Sequence, residues 1–83
     1  MVAVPGLLIV ASSGSTDPTR ASIPFHIAAN GAAASGVECA VALTGDATEL
    51  LNGQVAGSVK GVGVPPLTEL LRACLDRGVQ FHV

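Results

Sequence analysis

The pattern of apolar and polar positions predicts three strands in this 83-residue chain. The stretch "GLLIVAS" is apolar at four consecutive positions, which is typical of a strand covered on both faces. A second strand is predicted in "VECAVALT". The third is predicted in "RGVQFHV", where Val79, Phe81 and Val83 alternate with Gln80 and His82. Because both faces of the first strand should be covered, we expect it in the middle of the sheet.

Helices are predicted between these strands. The first covers residues 18–35, with Asp17 as its N-cap and Gly36 at its end, and we expect a kink at Pro24. A short second helix is predicted in "GDATELLNG", with a capping box from Asp46 to Glu49. Gly53 would end that helix.

The rest of the chain predicts a loop and one clear amphipathic helix. Residues 54–64 are rich in glycine and indicate a mobile connection. The segment "PPLTELLRACLDRG" has polar residues on one side and leucines at helical spacing on the other. Its predicted apolar face consists of Leu67, Leu70, Leu71, Cys74 and Leu75.

Alternating strands and helices predict an α/β fold with right-handed crossovers. With the first strand central, residues 1–83 would form a single domain, a small doubly wound parallel sheet of strand order 2-1-3 with helices on both faces. Such sheets bind ligands beyond the carboxyl ends of their strands, where the chain reverses direction. The candidate ligand-binding residues there are Ser12, Ser13, Gly14, Ser15, Asp17 and His82.

The loop "SSGSTD" allows two interpretations. Its hydroxyls and backbone N–H groups precede a helix, which favours an anion site. Asp17 argues for an ordinary capped turn instead, since its carboxylate satisfies the same donors and repels anions. The loop is not a P-loop, because the required lysine and glycine spacing are missing.

The composition indicates how much of the domain surface is exposed to solvent. Charged residues are 12% of the chain and hydrophobic residues 49%, whereas about 25% charge is usual for a soluble domain. We therefore expect other copies of the chain, in a homo-oligomer, or a further piece of the same domain to cover part of the surface. The domain would then be incomplete by itself.

Charge and hydropathy also exclude classes of partner. The net charge is −2, there is no basic run, and Phe25 and Phe81 are the two aromatic residues, so we expect no nucleic-acid binding. No apolar run approaches the roughly 18 residues of a membrane span. The start "MVAVPGLLIVA" lacks the positive charge of a signal peptide, so a cytoplasmic protein without membrane contact is predicted.

The cysteines, Cys39 and Cys74, show no CxxC spacing, which argues against a zinc site or a disulfide framework. Cys74 falls late on the apolar face of its helix, where burial and the negative end of the helix dipole oppose a thiolate. Cys39 shares a strand face with Val41 and Leu43. Both are assigned to the core, so neither is expected to be catalytic, and no other catalytic residue is assigned. We also expect no metal and no cofactor.

The order of motifs resembles the DsrE-like family of sulfur-relay proteins. The matching pieces are "GSTDPTRASIPFHIA", "LTGDATELL", "GVGVPPLTELL" and "RGVQFHV", from about Leu7 to Val83. The resemblance implies a doubly wound α/β fold like that of flavodoxin, a role in sulfur metabolism, and sulfur transfer by a cysteine persulfide. A sulfur-carrier protein would be the partner.

Many members carry the reactive cysteine just after the third strand, a position that would directly follow Val83. Longer members add a fourth and a fifth strand. By resemblance, then, residues 1–83 have the family's frame without its nucleophile. His82 would tune a thiol placed one or two residues later, and is otherwise an ordinary strand histidine.

Two other functions stay open. The first is a non-catalytic, oligomeric ligand-binding or regulatory module. The second is a flavodoxin-like mononucleotide binder in which "SSGST" cradles a phosphate, although the chain has no Trp or Tyr to flank a flavin ring.

Overall fold

The sheet has three parallel strands in the computed structural model, which describes residues 6–83. The strands are β1 (Gly6–Ala11), β2 (Glu38–Leu43) and β3 (Gln80–His82). Ala11 pairs with Leu43, and Ala42 pairs with His82. The carboxyl ends of all three strands therefore lie at one edge of the sheet. Residues 1–5, where we expect no signal peptide, lie outside the described residues.

The strand order is β1-β2-β3, so the predicted order 2-1-3 is wrong. β2 is central, and β1 lies at the border of the described sheet. The apolar run of β1 led to the wrong position for this strand because the two faces of β1 have different surroundings. Ile9 packs against the core, whereas Leu8 and Val10 are 61% and 60% exposed on the other face. An apolar strand thus indicates two faces suited to burial but does not say which neighbours pair with its edges.

The helices lie on one face of the described sheet, not on both as predicted. Both crossovers step in the same direction across the sheet, and right-handed crossovers in the same direction place their helices on the same side. The first and last α-helices accordingly contact each other. The α/β class is confirmed, but the doubly wound arrangement is not found in residues 6–83.

The first helix begins as predicted. α1 spans Pro18–His26, and the Asp17 side chain accepts a hydrogen bond from the Arg20 N–H at 3.1 Å. Pro18 occupies the first turn, where its missing N–H leaves no bond unmade. Pro24 lies inside the helix and removes one donor from the ladder.

The helical path continues to Ser35 with altered winding. A π-helical segment, Ile27–Ala32, follows α1, and a short 3₁₀ helix, Ala33–Ser35, ends the path. Gly36, with φ of 81°, takes the left-handed conformation that ends many helices. The predicted span and stop are confirmed, while the winding differs from an α-helix.

The region after β2 departs most from its prediction. A 3₁₀ helix spans Gly45–Leu51, and Thr44 precedes it without a side-chain cap. The predicted capping box from Asp46 to Glu49 is therefore wrong. Gly53 begins a helix, α2 (Gly53–Ser58), instead of ending one.

The Asn52 side chain caps α2 by accepting from the N–H groups of Gln54 and Val55. The predicted mobile connection of residues 54–64 thus contains most of a short helix. A Cβ at Gly61 would lie 2.9 Å from the Thr19 Cα, so the loop that follows α2 packs closely on α1.

α3 spans Leu67–Asp76 and matches its prediction except at one position. Leu67, Leu70 and Cys74 are buried, but Leu75 is 65% exposed. In the core, Phe25 of α1 meets Phe81 of β3 edge to face, with ring centroids 5.7 Å apart. The largest fully buried side chains are those of Phe25, Leu43, Leu50, Leu67, Leu70 and Val41.

None of the helices within residues 6–83 has the length and hydrophobicity needed to cross a membrane.

Candidate functional site

The loop after β1, residues 12–17, packs against the segment that follows β2. Gly14 is buried at the contact. A Cβ at this position would lie 2.7 Å from the backbone oxygen of Asp46 and 2.7 Å from Oε1 of Glu49. Because a backbone oxygen cannot rotate away as a side chain can, glycine is required for this close approach.

Ser15 binds Glu49 with two donors. Its N–H and its Oγ both donate to Oε1 of Glu49, at 2.7 and 2.6 Å. These bonds, the hydroxyl bond first and the amide bond second, lower the pKa of the Glu49 carboxyl. The protein's own carboxylate therefore holds two of the donors that the anion-site interpretation would offer to a ligand.

A serine beside a carboxylate also suggests a nucleophile and its base. A useful general base has a pKa near the working pH, and the pKa of Glu49 is shifted the opposite way. The pair is thus suited to holding the loop, and its electrostatics oppose activation of Ser15.

The remaining predicted residues of the loop have separate surroundings. Ser12 is exposed, Ser13 is half-buried, and Asp17 caps α1. At the base of the loop, the N–H and Oγ1 of Thr44 donate to the Ala11 oxygen at 2.9 and 3.1 Å. This contact ties the carboxyl end of β1 to that of β2.

His82 lies apart from the loop. It is exposed on β3 and pairs with Ala42, so β2 lies between His82 and the strand that carries the loop. Two interstrand spacings amount to about 10 Å. The structure therefore groups Ser15 with Glu49, and it does not place His82 and the loop on neighbouring strands as the predicted order required.

Both cysteines lie in the hydrophobic core. Cys74 is fully buried, and its Sγ donates to the Phe25 oxygen at 3.6 Å. Burial raises the pKa of the Cys74 thiol to about 11, and the nearby Cys39 adds to the shift. Cys39 is 7% exposed, and burial raises the pKa of its thiol as well. Neither thiol has the exposure or the lowered pKa of a nucleophile.

The DsrE/DsrF-like family matches residues 6–83 of the chain. The chain belongs to this family. Membership assigns the protein to sulfur metabolism at the level of the family. No curated protein and no solved structure matches the chain significantly.

In this DsrE/DsrF-like chain, sequence reasoning missed the role of Glu49. Asp46 and Glu49 have the three-residue spacing of a capping box, and that local interpretation obscured a partner 34 positions away. The signal that points to Ser15 is indirect: parallel strands place the loops after β1 and β2 at the same edge. Long-range pairing of this kind needs the strand order first.

A second missed contact lies on the other side of the loop after β1. The Val62 N–H donates to Oγ1 of Thr19 at 3.0 Å and fixes the loop after α2 on the first turn of α1. At the carboxyl edge of the DsrE/DsrF-like sheet, the loop after β1 therefore contacts the segment after β2, and the loop after α2 contacts α1.

The amino edge of the sheet holds a cavity of about 310 Å³. Leu7, Leu8, Cys39 and Ala40 are among its lining residues, with Glu38 and Gln80 supplying polar groups. It opens at the end of the sheet opposite to the predicted site. Among residues 6–83, no cluster of three His, Cys, Asp or Glu side chains is placed to hold a metal ion.

Proposed function

We propose that this DsrE/DsrF-like protein takes part in persulfide sulfur transfer, and that the sulfur-bearing thiol is neither Cys39 nor Cys74. The burial of both cysteines carries the proposal. Sulfur transfer needs a thiolate in reach of the donor, and both thiols have raised pKa values within the core.

The proposed place of the chemistry is the carboxyl edge of the sheet, at β3. Strand ends meet there, and His82 is exposed at the end of β3 beside the small side chain of Ala42. The family resemblance implies a reactive cysteine just beyond this point. A thiol held there would have the His82 imidazole close by.

The step itself conserves atoms and electrons. The acceptor thiolate attacks the outer sulfur of a donor persulfide, a new S–S bond forms, and the donor's S–S bond breaks. The donor leaves as a thiolate, and no outside oxidant or reductant is consumed. A sulfur-carrier protein is the proposed donor or acceptor.

Self-association is part of the proposal. The outer face of the sheet carries Leu8 and Val10 about three-fifths exposed, next to Ala40 and Ala42. An apolar surface of this kind supports coverage by another chain or another part of the domain. Light scattering of the native protein measures the oligomer directly, and a monomer would remove this part of the proposal.

A non-catalytic regulatory role is the second candidate. The observation that favours it is the same: both cysteines within residues 6–83 are buried, and Cys39, which lines the cavity at the amino edge, is only 7% exposed. Such a protein would bind a persulfide-carrying partner without accepting its sulfur.

One experiment separates the two functions. The native protein is treated with glutathione persulfide, and intact mass and peptide mapping locate any added sulfur in the wild type and in Cys39→Ser and Cys74→Ser. If the native protein carries a cysteine directly after Val83, transfer predicts one added sulfur atom on that cysteine, and none on Cys39 or Cys74, in all forms. The regulatory role predicts no added sulfur together with binding to a persulfide-loaded partner. Sulfur found on folded Cys39 or Cys74 would refute both.

A further inference from the structure

We propose that Glu49 is a positioning residue that clasps residues 12–17 to the segment after β2, so that the loops bordering the carboxyl edge move as one unit. The consequence for sulfur transfer rests on the proposed function. The clasp itself rests on contacts alone.

The first support is that one oxygen atom of Glu49 accepts two hydrogen bonds. Oε1 of Glu49 accepts from the Ser15 N–H and from its Oγ, at 2.7 and 2.6 Å. Hydrogen bonds to an ionised acceptor are shorter and stronger than those between neutral groups. Both donors belong to one residue, so the carboxylate fixes the backbone and the side chain of Ser15 together.

The second support is the fit of the two backbones behind the carboxylate. Gly14 lies so close to Asp46 that no side chain fits between them. Thr44 joins the bases of the two loops through the bonds to Ala11. The loops are therefore held at their bases by Thr44 and at their outer side by Glu49.

The neighbouring carboxylates have other roles. The Asp17 side chain accepts from Arg20 N and lies 3.6 Å from the Arg20 guanidinium. Asp46 meets Gly14 through its backbone oxygen and Cβ. In the described structure it is thus Glu49, and neither of these residues, that satisfies the donors of Ser15.

This arrangement predicts a distinct response of the loop. When Glu49 is removed, the Ser15 amide loses its acceptor and the outer side of the loop is freed, while the base at Thr44 stays joined. The change should be local, and the fold as a whole should persist. Ser15 would then become more mobile, and the access of other molecules to the carboxyl edge would change with it.

The test compares Glu49→Ala and Glu49→Gln with the control Glu69→Ala, which removes an exposed carboxylate from α3. Amide hydrogen exchange of Ser15 is measured by NMR in the native protein. We expect exchange at least about tenfold faster in Glu49→Ala. We expect an intermediate rate in Glu49→Gln, whose neutral amide oxygen still accepts both bonds but more weakly than the carboxylate does. Glu69→Ala should match the wild type.

A second variant and a second readout complete the design. Ser15→Ala keeps the amide donor and loses the hydroxyl, so its exchange should fall between those of the wild type and Glu49→Ala. Unchanged Ser15 exchange in a folded Glu49→Ala protein would overturn the clasp. The rate of sulfur transfer is measured in the same proteins and should differ between Glu49→Ala and Glu49→Gln. If the wild type transfers no sulfur, the proposed function fails while the exchange data still decide the clasp.

Discussion

The Sγ atom of Cys74 donates a hydrogen bond to the backbone oxygen of Phe25 at 3.6 Å and so links α3 to α1 inside the core. A thiol in this position is protonated at neutral pH and shielded from reagents. We predict that iodoacetamide modifies Cys74 slowly in the folded protein and readily in urea, as followed by intact mass. Fast labelling under native conditions would contradict the buried position.

Gly14 should not tolerate a side chain. Gly14→Ala places a methyl group 2.7 Å from a backbone oxygen, and we expect a loss of roughly 1–3 kcal/mol in the free energy of unfolding. Gly57→Ala is the matched control, since nothing lies within 4 Å of its added Cβ, and alanine favours the helix by up to about 1 kcal/mol. Urea denaturation measures both. Equal effects of the two substitutions would contradict the tight loop contact.

The contribution of Glu49 should depend on pH. Its pKa is lower in the folded protein than the value of about 4.3 in an unfolded chain, so the folded state binds fewer protons. The stabilisation is therefore present above the unfolded pKa and is lost as the pH falls through the folded pKa. Urea denaturation of the wild type and Glu49→Gln at a series of pH values should show a stability difference that changes in this acidic range. A difference that is constant throughout would refute the assignment.

The contact between Phe25 and Phe81 should be important for stability. Phe25 is fully buried, and Phe25→Ala removes a large side chain at a cost of roughly 3–5 kcal/mol. Because a domain of this size is marginally stable, Phe25→Leu is the informative second variant, with a smaller loss expected. Thermal unfolding followed by circular dichroism gives both values. A Phe25→Ala protein as stable as the wild type would disprove this core.

The two faces of the sheet should respond differently to the same change. Val41→Thr places a hydroxyl in the core and should cost roughly 1–3 kcal/mol, whereas Val10→Thr should cost about 0.5 kcal/mol or less in a dissociated chain, whose outer face is exposed. Urea denaturation of the 83-residue chain decides this comparison. A large loss for Val10→Thr would show that the outer face is covered in solution.

Local signals predicted the elements well. Asp17, Pro18 and Gly36 mark the limits of the first helical path because caps, prolines and left-handed glycines act within a few residues. The leucine spacing of α3 was equally informative, except at Leu75, which lies on the apolar side of the pattern but in solvent. Spacing defines a direction around the helix but not the width of the surface that the sheet covers.

The strand order and the site required information that no short segment contains. β1 reads as a central strand because both of its faces are apolar, yet β2 is the strand paired on both edges. Glu49 likewise fits a local cap and instead binds Ser15. In both cases a distant partner decides the outcome, and the local pattern is compatible with more than one partner.

The π-helical segment Ile27–Ala32 should let the connection between α1 and β2 tolerate a change in length. Its wide turns hold more residues than α-helical turns do, with bonds to the fifth residue along. Losing one residue here would let the winding tighten to α-helical while Gly36 still delivers the chain to β2. In a regular helix the same loss would rotate everything beyond it by about 100°. Among related chains, single-residue length differences are therefore best accommodated in this segment.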